Sequence, residues 1–198
     1  IRNMARFGVP VIASVNVFPT DTDAEIEALL DEAREAGATD AVVNRVHSDG
    51  GEGGADLARA VVSACQSHIA EGRPFEPLFG PNAPLEEKIL RIATNVYGAA
   101  SIDLAPKALN ELKTLQNWGY GNLAVCMAKT QYSFSHEMKE LGAPSGFTLP
   151  IRELRLNAGA GFIVAICGTI MTMPGLPRIP AGENMDMDED GNLLGMFR

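Results

Sequence analysis

RVHSDGGEGGADLARAV, residues 45–61, joins an apolar run to an amphipathic one through four glycines that flank a single glutamate. The apolar run that ends here, residues 41–46, predicts a strand, and residues 55–68 predict a helix. Each glycine inside an element costs about 0.5–1 kcal/mol relative to alanine. A tight turn needs only one or two glycines. The extra ones therefore indicate a loop whose backbone another group approaches closely.

The residues before this stretch predict a strand and a helix. Val9–Val15 is a nearly unbroken apolar run, typical of a parallel strand that is covered on both faces. Thr22 and Glu25 have the spacing of a capping box, and Gly37 ends the helix that follows them. The order strand, helix, strand, loop, helix predicts a βαβ unit in a parallel sheet. The apolar stripes expected to face that sheet are Ile26, Leu29, Leu30 and Ala33 on the first helix and Leu57, Val61, Ala64 and Cys65 on the second.

The second half of the chain predicts a different arrangement. Residues 1–72 are expected to belong to a main α/β domain, the Pro-rich residues 73–84 to form a connector, and residues 85–198 to form an α+β domain. The predicted helices are 85–97, with Ile89, Ile92, Ala93 and Val96 on one face, and 106–118, with Leu109, Leu112 and Leu115. The predicted strands are 123–128, 147–156 and 161–168, and the predicted loops are 129–145 and 172–182.

The composition excludes some classes of partner. The net charge of −9 argues against nucleic acid, because phosphate binding needs clustered Lys and Arg. No membrane partner is expected, since the longest apolar run, 161–168, is too short to span a bilayer. Cys65, Cys126 and Cys167 lie in apolar runs and are expected to be buried thiols in a reducing compartment, the cytoplasm. Because the sequence begins without Met a few residues before a strand, we expect a part of a longer protein.

The predicted topology brings two turns together. If the first two strands are parallel neighbours, the turns NVFPTDT (16–22) and VHSDGGEGG (46–54) lie at the same edge of the sheet, where ligands of open α/β sheets bind. Phe18 and His47 would then offer flat faces to a planar ligand, and the helix N-terminus would favour negative charge. The alternative is that Phe18 packs under its turn, His47 is solvated and the glycines close a tight connection. The residues alone leave both interpretations open.

Other motifs were tested and found incomplete. GGEGG lacks the Gly-Lys-Ser/Thr ending of a phosphate-binding loop, and Val164 replaces the third glycine of a dinucleotide fingerprint. Residues 186–191 match the start of a calcium-binding loop, but Phe197 stands at the required glutamate, so a hairpin turned at DEDGN is predicted. The three histidines have no ligand spacing. Lys129, Thr130, Tyr132 and Ser133 either line a polar site or form a satisfied loop.

Several longer stretches resemble the formate–tetrahydrofolate ligase family. They are FGVPVIASVNVFPTDTDAEI, GGEGGADLA, EEKILRIATNVYGA, NLAVCMAKTQYSFS, and AGAGFIVAICGTIMTMPGLP with the ending NMDMDEDGNLLGMF. The resemblance covers essentially the whole chain and corresponds to the last third of the family's chain. It implies that residues 1–72 are the βαβ portion of a P-loop-type ligase domain.

The family resemblance also implies an activity. Such a ligase uses ATP with Mg²⁺ to phosphorylate formate, and the amine of tetrahydrofolate then attacks formyl phosphate to give 10-formyltetrahydrofolate. The phosphate-binding loop, the formyl-phosphate contacts and a monovalent cation are expected in the part of the family chain that this sequence does not cover. No catalytic residue is therefore expected here, and the complete protein is expected to be a homo-oligomer.

The resemblance assigns the two turns to a folate or nucleotide crevice. Phe18 matches one aromatic wall of that crevice, whereas His47 stands where the family has Trp, and Asp49 where it often has Lys. These departures favour a second hypothesis, a non-catalytic binding or assembly module that keeps the fold. The candidate binding residues are Asn16, Phe18, Pro19, Thr20, His47, Gly50, Gly51 and Glu52.

Overall fold

The computed structural model describes residues 1–170 and 178–195, which form two compact units, Ile1–Gly168 and Thr169–Arg198. The helices are α1 (Arg2–Ala5), α2 (Asp23–Glu35), α3 (Val46–Asp49), α4 (Ala55–Glu71), α5 (Leu85–Asn95) and α6 (Pro106–Asn117). The strands are β1 (Ile12–Asn16), β2 (Asp40–Asn44), β3 (Ser101–Leu104), β4 (Ala124–Ala128), β5 (Thr148–Asn157), β6 (Phe162–Cys167), β7 (Asp186–Met187) and β8 (Leu193–Leu194). The predicted α/β class is confirmed.

The first sheet consists of β1 and β2, which run parallel with Ile12 opposite Asp40 and Asn16 opposite Asn44. Helix α2 connects them and begins with the predicted capping box. The amide of Glu25 donates to the Thr22 hydroxyl at 3.3 Å, and the amide of Thr22 donates to the Glu25 carboxylate at 2.9 Å. The bonds satisfy amides that the first turn of a helix otherwise leaves without partners. The expected parallel βαβ unit is thus present.

The second sheet has four strands in the order β3-β5-β6-β4. β3 runs parallel to β5, β5 antiparallel to β6, and β6 parallel to β4. The tight β5–β6 connection turns through Gly161, whose φ of 74° lies in the left-handed region that favours glycine. Because β4 and β6 are parallel, both end at the same edge of the sheet.

Each sheet of the first unit has its own hydrophobic core. The smaller core packs α2 on the first sheet through four buried residues: Ile26, Leu30, Ala33 and Ala41. The larger core packs α5 and α6 on the second sheet through thirteen: Leu85, Ile89, Ala93, Ala99, Ala108, Leu112, Leu115, Leu149, Ile151, Leu154, Ile163, Ala165 and Cys167. The two cores lie on either side of the predicted connector 73–84, and the division into domains there stays a prediction.

Phe7 and Phe75 form a contact, here called the clasp, between the residues before β1 and those after α4. The two rings stack with centroids 5.4 Å apart and planes inclined by 9°. The Glu76 amide donates to the Phe7 carbonyl at 2.9 Å. The two ends of the segment 7–75 are therefore adjacent in space.

The predicted apolar stripes of the first half were too wide. Leu29 is 56% exposed and Val61 is 43% exposed, and Cys65 is exposed as well. The physical reason is that a sheet of two strands is narrower than the apolar face of α2 or of α4. Apolar residues at the margins of those helix faces therefore face solvent. In the second half, Leu109 is also exposed, at 38%, on the edge of α6.

Two predicted strand boundaries and one omission need correction. β1 begins at Ile12, not Val9, and β2 ends at Asn44, so that Val46 begins the short helix α3. β3 was not predicted, because the four residues Ser101–Leu104 are too few to show a clear period, and their pairing with β5 decides their conformation.

Burial of the cysteines was predicted correctly at one of three positions. Cys167 is buried at the end of β6, whereas Cys65 and Cys126 are exposed. Cys65 faces solvent because it lies beyond the sheet that α4 covers, and Cys126 lies on the face of β4 opposite the core. No helix in the described part of the chain is long and apolar enough to cross a membrane.

In the second unit, β7 and β8 form the predicted antiparallel hairpin. The Asp188 carboxylate accepts hydrogen bonds from the amides of Asp190 and Asn192 and from the Asn192 side chain, at 2.8–3.0 Å. These bonds lower the pKa of Asp188 and use its oxygens to hold the turn. Residues 171–177, within and next to the predicted loop 172–182, and Phe197 lie outside the described residues.

Candidate functional site

A cavity of about 340 Å³ opens at the carboxyl edge of the first sheet. It is lined by Asn16, Val17, Phe18, Asn44, Val46 and His47. The first three residues end or follow β1 and the last three end or follow β2, so the parallel pairing of the strands creates the cavity. We call this cavity the crevice. Its position is the one at which open α/β sheets bind ligands.

Asn16 and Asn44 form the floor of the crevice. They are direct neighbours in the strand register, and the Asn44 side-chain amide donates to the Asn16 side-chain oxygen and to the Ser14 hydroxyl, at 3.1 Å each. The Asn44 side-chain oxygen accepts from the Val46 amide at 3.0 Å. Asn44 therefore links both strand ends to the start of α3. Sequence reasoning named Asn16 but missed Asn44; the signal was an Asn at the end of each strand.

The turn after β1 holds Phe18 at the mouth of the crevice. The Phe18 amide donates to the Asp21 carboxylate at 2.8 Å, and the Asp21 amide donates to the Phe18 carbonyl at 3.0 Å. The backbone is thus fixed, yet the Phe18 side chain is 53% exposed. The alternative that Phe18 packs under its turn does not match this exposure. Asp21 was not among the predicted residues, although its position three residues after Phe18 is the usual one for closing such a turn.

His47 meets Phe18 across the mouth of the crevice. The ring centroids are 6.1 Å apart and the planes are inclined by 67°, which is an edge-to-face contact. A planar ligand held between two rings needs them parallel and about 7 Å apart, twice the contact distance of carbon atoms. In this arrangement the rings contact each other, so a flat ligand lies between them only after one ring has turned.

The glycines of residues 50–54 have different roles. Gly50 has a φ of 62° and a ψ of −146°, a conformation that is essentially restricted to glycine. A methyl group on Gly53 would lie 2.5 Å from the carbonyl of Arg45, and one on Gly54 would lie 2.8 Å from the Val46 side chain. Gly51 has open space around it and a negative φ. Gly53 and Gly54 are therefore required by the loop's own packing and Gly50 by its backbone conformation, whereas neither requirement applies to Gly51.

The crevice gathers only part of the predicted set. Asn16, Phe18 and His47 line it. The exposed residues Pro19, Thr20, Gly50, Gly51 and Glu52 lie in the same two turns but are not among its lining.

Phosphate and Mg²⁺ have no suitable partners in this crevice. Asp56 occupies the first turn of α4 and already supplies the negative charge that the helix N-terminus favours. Asp49 and Glu52 add further carboxylates on the loop. In the described residues, no group of three or more His, Cys, Asp or Glu side chains is arranged to hold a metal ion. The carboxylates at this edge of the sheet therefore do not favour a nucleotide's phosphates.

Comparisons with known proteins identify the family. A family model described as formate–tetrahydrofolate ligase matches residues 1–197. A formate–tetrahydrofolate ligase of Paracoccus denitrificans (strain Pd 1222) is 51% identical over 197 residues, which are 100% of this chain and 35% of that protein. One of Roseobacter denitrificans (strain ATCC 33942 / OCh 114) is 49% identical over 197 residues, with the same coverage. The chain thus spans about a third of the length of these curated relatives, and it belongs to the formate–tetrahydrofolate ligase family.

Proposed function

We propose that this chain is the folate-side part of an ATP-dependent ligase that joins formate to tetrahydrofolate through formyl phosphate, giving 10-formyltetrahydrofolate. The observation that carries the proposal is the crevice at the β1–β2 edge, with an exposed aromatic ring held on a fixed turn. A family match over residues 1–197 supports it.

The crevice fits the ring end of a folate by its chemistry. Phe18 offers a ring face, and the side chains of Asn16 and Asn44 line the same crevice at the strand ends. Both side-chain N–H groups of Asn44 are already used within the chain, whereas in the described residues those of Asn16 have no acceptor and can donate to a pterin edge. We propose that His47 turns out of its edge-to-face contact when the ligand enters. Its imidazole then stacks on the ligand from the side opposite Phe18.

The phosphate chemistry is assigned to another part of the complete protein. This chain has no Gly-Lys-Ser/Thr loop, and its described residues offer no metal-binding group. ATP with Mg²⁺, formate and a monovalent cation would accordingly bind outside the crevice. This chain's own residues would hold and orient the folate and cover one side of it from water.

Titration of the complete protein with tetrahydrofolate tests the proposal. We expect Phe18→Ala to weaken binding by at least about tenfold, because it removes most of one ring contact. Trp118→Ala is the matched control, since Trp118 is 66% exposed and lies after α6, outside the crevice. Equal affinity of the Phe18 variant and the Trp118 variant, with both folded, would overturn the assignment of the crevice to folate.

A second candidate function is a non-catalytic binding or assembly module. It is favoured by His47 and Asp49, which replace the Trp and Lys expected from the family resemblance. The two functions are separated by ligase turnover of the complete protein with ATP, formate and tetrahydrofolate. Turnover that is lost in Phe18→Ala supports the ligase, whereas folate binding without turnover supports the module.

We further propose that the complete protein is a cytoplasmic homo-oligomer. In the described residues Ile69 and Leu141 are large apolar side chains with exposures of 77% and 76%, which suits contact with another protein surface. Sedimentation velocity over a range of concentrations measures the assembly. A monomer at all concentrations would contradict this proposal without affecting the ligase assignment.

A further inference from the structure

A second polar cavity lies at the edge of the four-stranded sheet. It has a volume of about 340 Å³, and it includes Tyr97, Lys129, Thr130, Gln131, Tyr132 and Phe134 in its lining. Lys129 follows β4 directly, and β4 is parallel to β6, which ends at Cys167. The cavity therefore lies beyond the carboxyl ends of two parallel strands, as the crevice does in the first sheet. We call it the loop pocket.

The Lys129 ammonium is the positive group of the loop pocket. Its Nζ lies 4.9 Å from the centroid of the Tyr97 ring and donates to the carbonyl of Thr130 at 2.9 Å and to that of Ser133. An ammonium carries three N–H donors, so these two bonds leave one donor for a further acceptor. In the described residues, none of the ion pairs includes Lys129.

Two acidic groups near Lys129, the Cys167 thiol and the Tyr97 phenol, are neutral at pH 7. Burial raises the pKa of the Cys167 thiol to about 12, so it carries no charge at pH 7. Burial also raises the pKa of the Tyr97 phenol. Burial away from water lowers the pKa of Lys129 itself. A partly desolvated cation without an anionic partner gains free energy when an anion binds beside it.

Hydrogen bonds hold the loop around Lys129 in one conformation. Ser133 and Ser135 are buried, and the Ser133 hydroxyl donates to the Glu140 carbonyl at 2.6 Å. The Ser135 amide donates to the Ser133 hydroxyl and the Glu137 amide to the Ser135 hydroxyl, at 3.0 Å each. These bonds fix the backbone carbonyls that position the ammonium, so the pocket exists before any ligand arrives.

We propose that the loop pocket binds a small oxyanion, a carboxylate or a phosphate, through Lys129. The Thr130 hydroxyl accepts from the Tyr132 amide at 3.3 Å, which leaves its own O–H to donate to the anion. The Gln131 amide is exposed at the rim and offers further donors. Tyr97, Tyr132 and Phe134 form apolar walls that suit the organic body attached to such a group. The proposal is independent of the folate assignment, because it concerns the other sheet.

Competitive labelling of lysines tests the proposal at Lys129 itself. The complete protein is treated briefly with an acetylating reagent in increasing phosphate, in increasing acetate, or in chloride at matched ionic strength, and labelling is measured by mass spectrometry. We expect the rate at Lys129 to fall about tenfold at an oxyanion concentration ten times its Kd. Lys139 is the control in the same loop, exposed and outside the pocket lining, and its rate should not change.

The phosphate and acetate titrations distinguish a phosphate ligand from a carboxylate ligand. Saturable protection by phosphate alone assigns a phosphate group, by acetate alone a carboxylate, and by both the shared chemistry. A rate at Lys129 that is slow in chloride and unchanged by either oxyanion would overturn the proposal, because Lys129 would then only brace the loop. Protection that Lys139 shows equally would also overturn it.

Discussion

At the scale of single residues, the loop 50–54 shows that glycines of one motif differ in purpose. The backbone carbonyl of Arg45 lies where the Cβ atom of a side chain at position 53 would be. A hydrogen bond of 3.0 Å from the Arg45 amide to the Gly53 carbonyl holds the two backbones together. Gly51, two residues earlier, faces open space. Within this five-residue run, close packing inside the chain therefore requires the glycine at position 53 but not the one at position 51.

The substitution Gly53→Ala should destabilise the fold, whereas Gly51→Ala should not. A methyl group 2.5 Å from the Arg45 carbonyl forces the backbone to move, and such overpacking costs about 1–3 kcal/mol. At Gly51 the change should stay within about 0.5 kcal/mol. Urea unfolding of the two variants measures the difference. Equal stability would contradict the close approach seen at Gly53.

Lys88 is a second residue whose environment decides its role. Its side chain is 1% exposed, and its ammonium donates to the carbonyls of Gly121 and Leu123 at 3.0 Å each. It thereby ties α5 to the start of β4. Sequence reasoning did not single it out, because a lysine between Glu87 and Ile89 on an amphipathic helix is usually solvated.

Lys88→Met should lower the free energy of unfolding by about 1–3 kcal/mol, since two buried carbonyls lose their donors. Lys113→Met, at an exposed position of α6, is the control and should have little effect. Burial lowers the pKa of Lys88 from its ordinary 10.5, so the folded chain releases this proton first as the pH rises. Between the two pKa values the wild type should therefore gain stability relative to Lys88→Met. Urea unfolding at pH 7 to 10.5 measures both effects, and a difference that shrinks with pH would contradict the sign.

At the scale of elements, the start of α2 couples helix stability to the crevice. Thr22 caps the helix and lies directly after Asp21, which holds the Phe18 turn. The Thr22 bonds also lower the pKa of Glu25, so the interaction is present at neutral pH and is lost as the pH falls through that lowered pKa.

Thr22→Ala should cost about 1 kcal/mol of stability, the usual effect of removing a threonine cap. Thr39→Ala, which removes a hydroxyl that accepts from the Val11 amide at 3.2 Å outside the helix, is a matched comparison. The loss from Thr22→Ala should shrink in acid, because protonation of Glu25 weakens the bond that the Thr22 hydroxyl donates to its carboxylate at 2.7 Å, a bond that the variant lacks. Thermal unfolding at neutral pH and in acid checks this, and a loss independent of pH would assign the effect to the bond between the Thr22 hydroxyl and the Glu25 amide alone.

Sequence patterns predicted the helices and strands better than they predicted which side chains are buried. The capping box, the parallel pair and the hairpin follow from local chemistry, which the sequence carries directly. β3 and the exposure of Leu29 and Cys65 depend on how wide a sheet the chain assembles, which is a property of distant partners. In the crevice, Asn16, Phe18 and His47 were found from strand ends, whereas Asn44 and Asp21 act through hydrogen bonds that only coordinates reveal.

At the scale of the whole molecule, the two cores of the first unit differ in size. Four buried residues support the first sheet and thirteen support the second. The chain before the connector 73–84 therefore has much less buried apolar surface to oppose opening. Local opening of the first sheet should therefore cost less free energy than local opening of the second.

Hydrogen exchange of the chain Ile1–Arg198 should show this difference. Amides of β1 and β2 should exchange through an opening whose free energy is at least about 2 kcal/mol below that of β5 and β6, roughly one buried apolar side chain. Mass spectrometry of exchanged peptides measures both sheets in one sample. Equal protection would show that the two cores open as a single unit and would contradict the predicted division at 73–84.

The clasp of Phe7 and Phe75 has a consequence for rearranging the gene. The carbonyl of Phe7 and the amide of Glu76 are 2.9 Å apart, so the termini of segment 7–75 are already adjacent. A linker of about three residues would join them, since a residue spans up to 3.6 Å. The segment can then be circularly permuted, with new ends opened beside Gly37, which leaves the Phe18 turn intact. For the same reason the segment 7–75 can be transferred as a single insertion into a loop of another protein. The transferred segment includes Phe18 and His47.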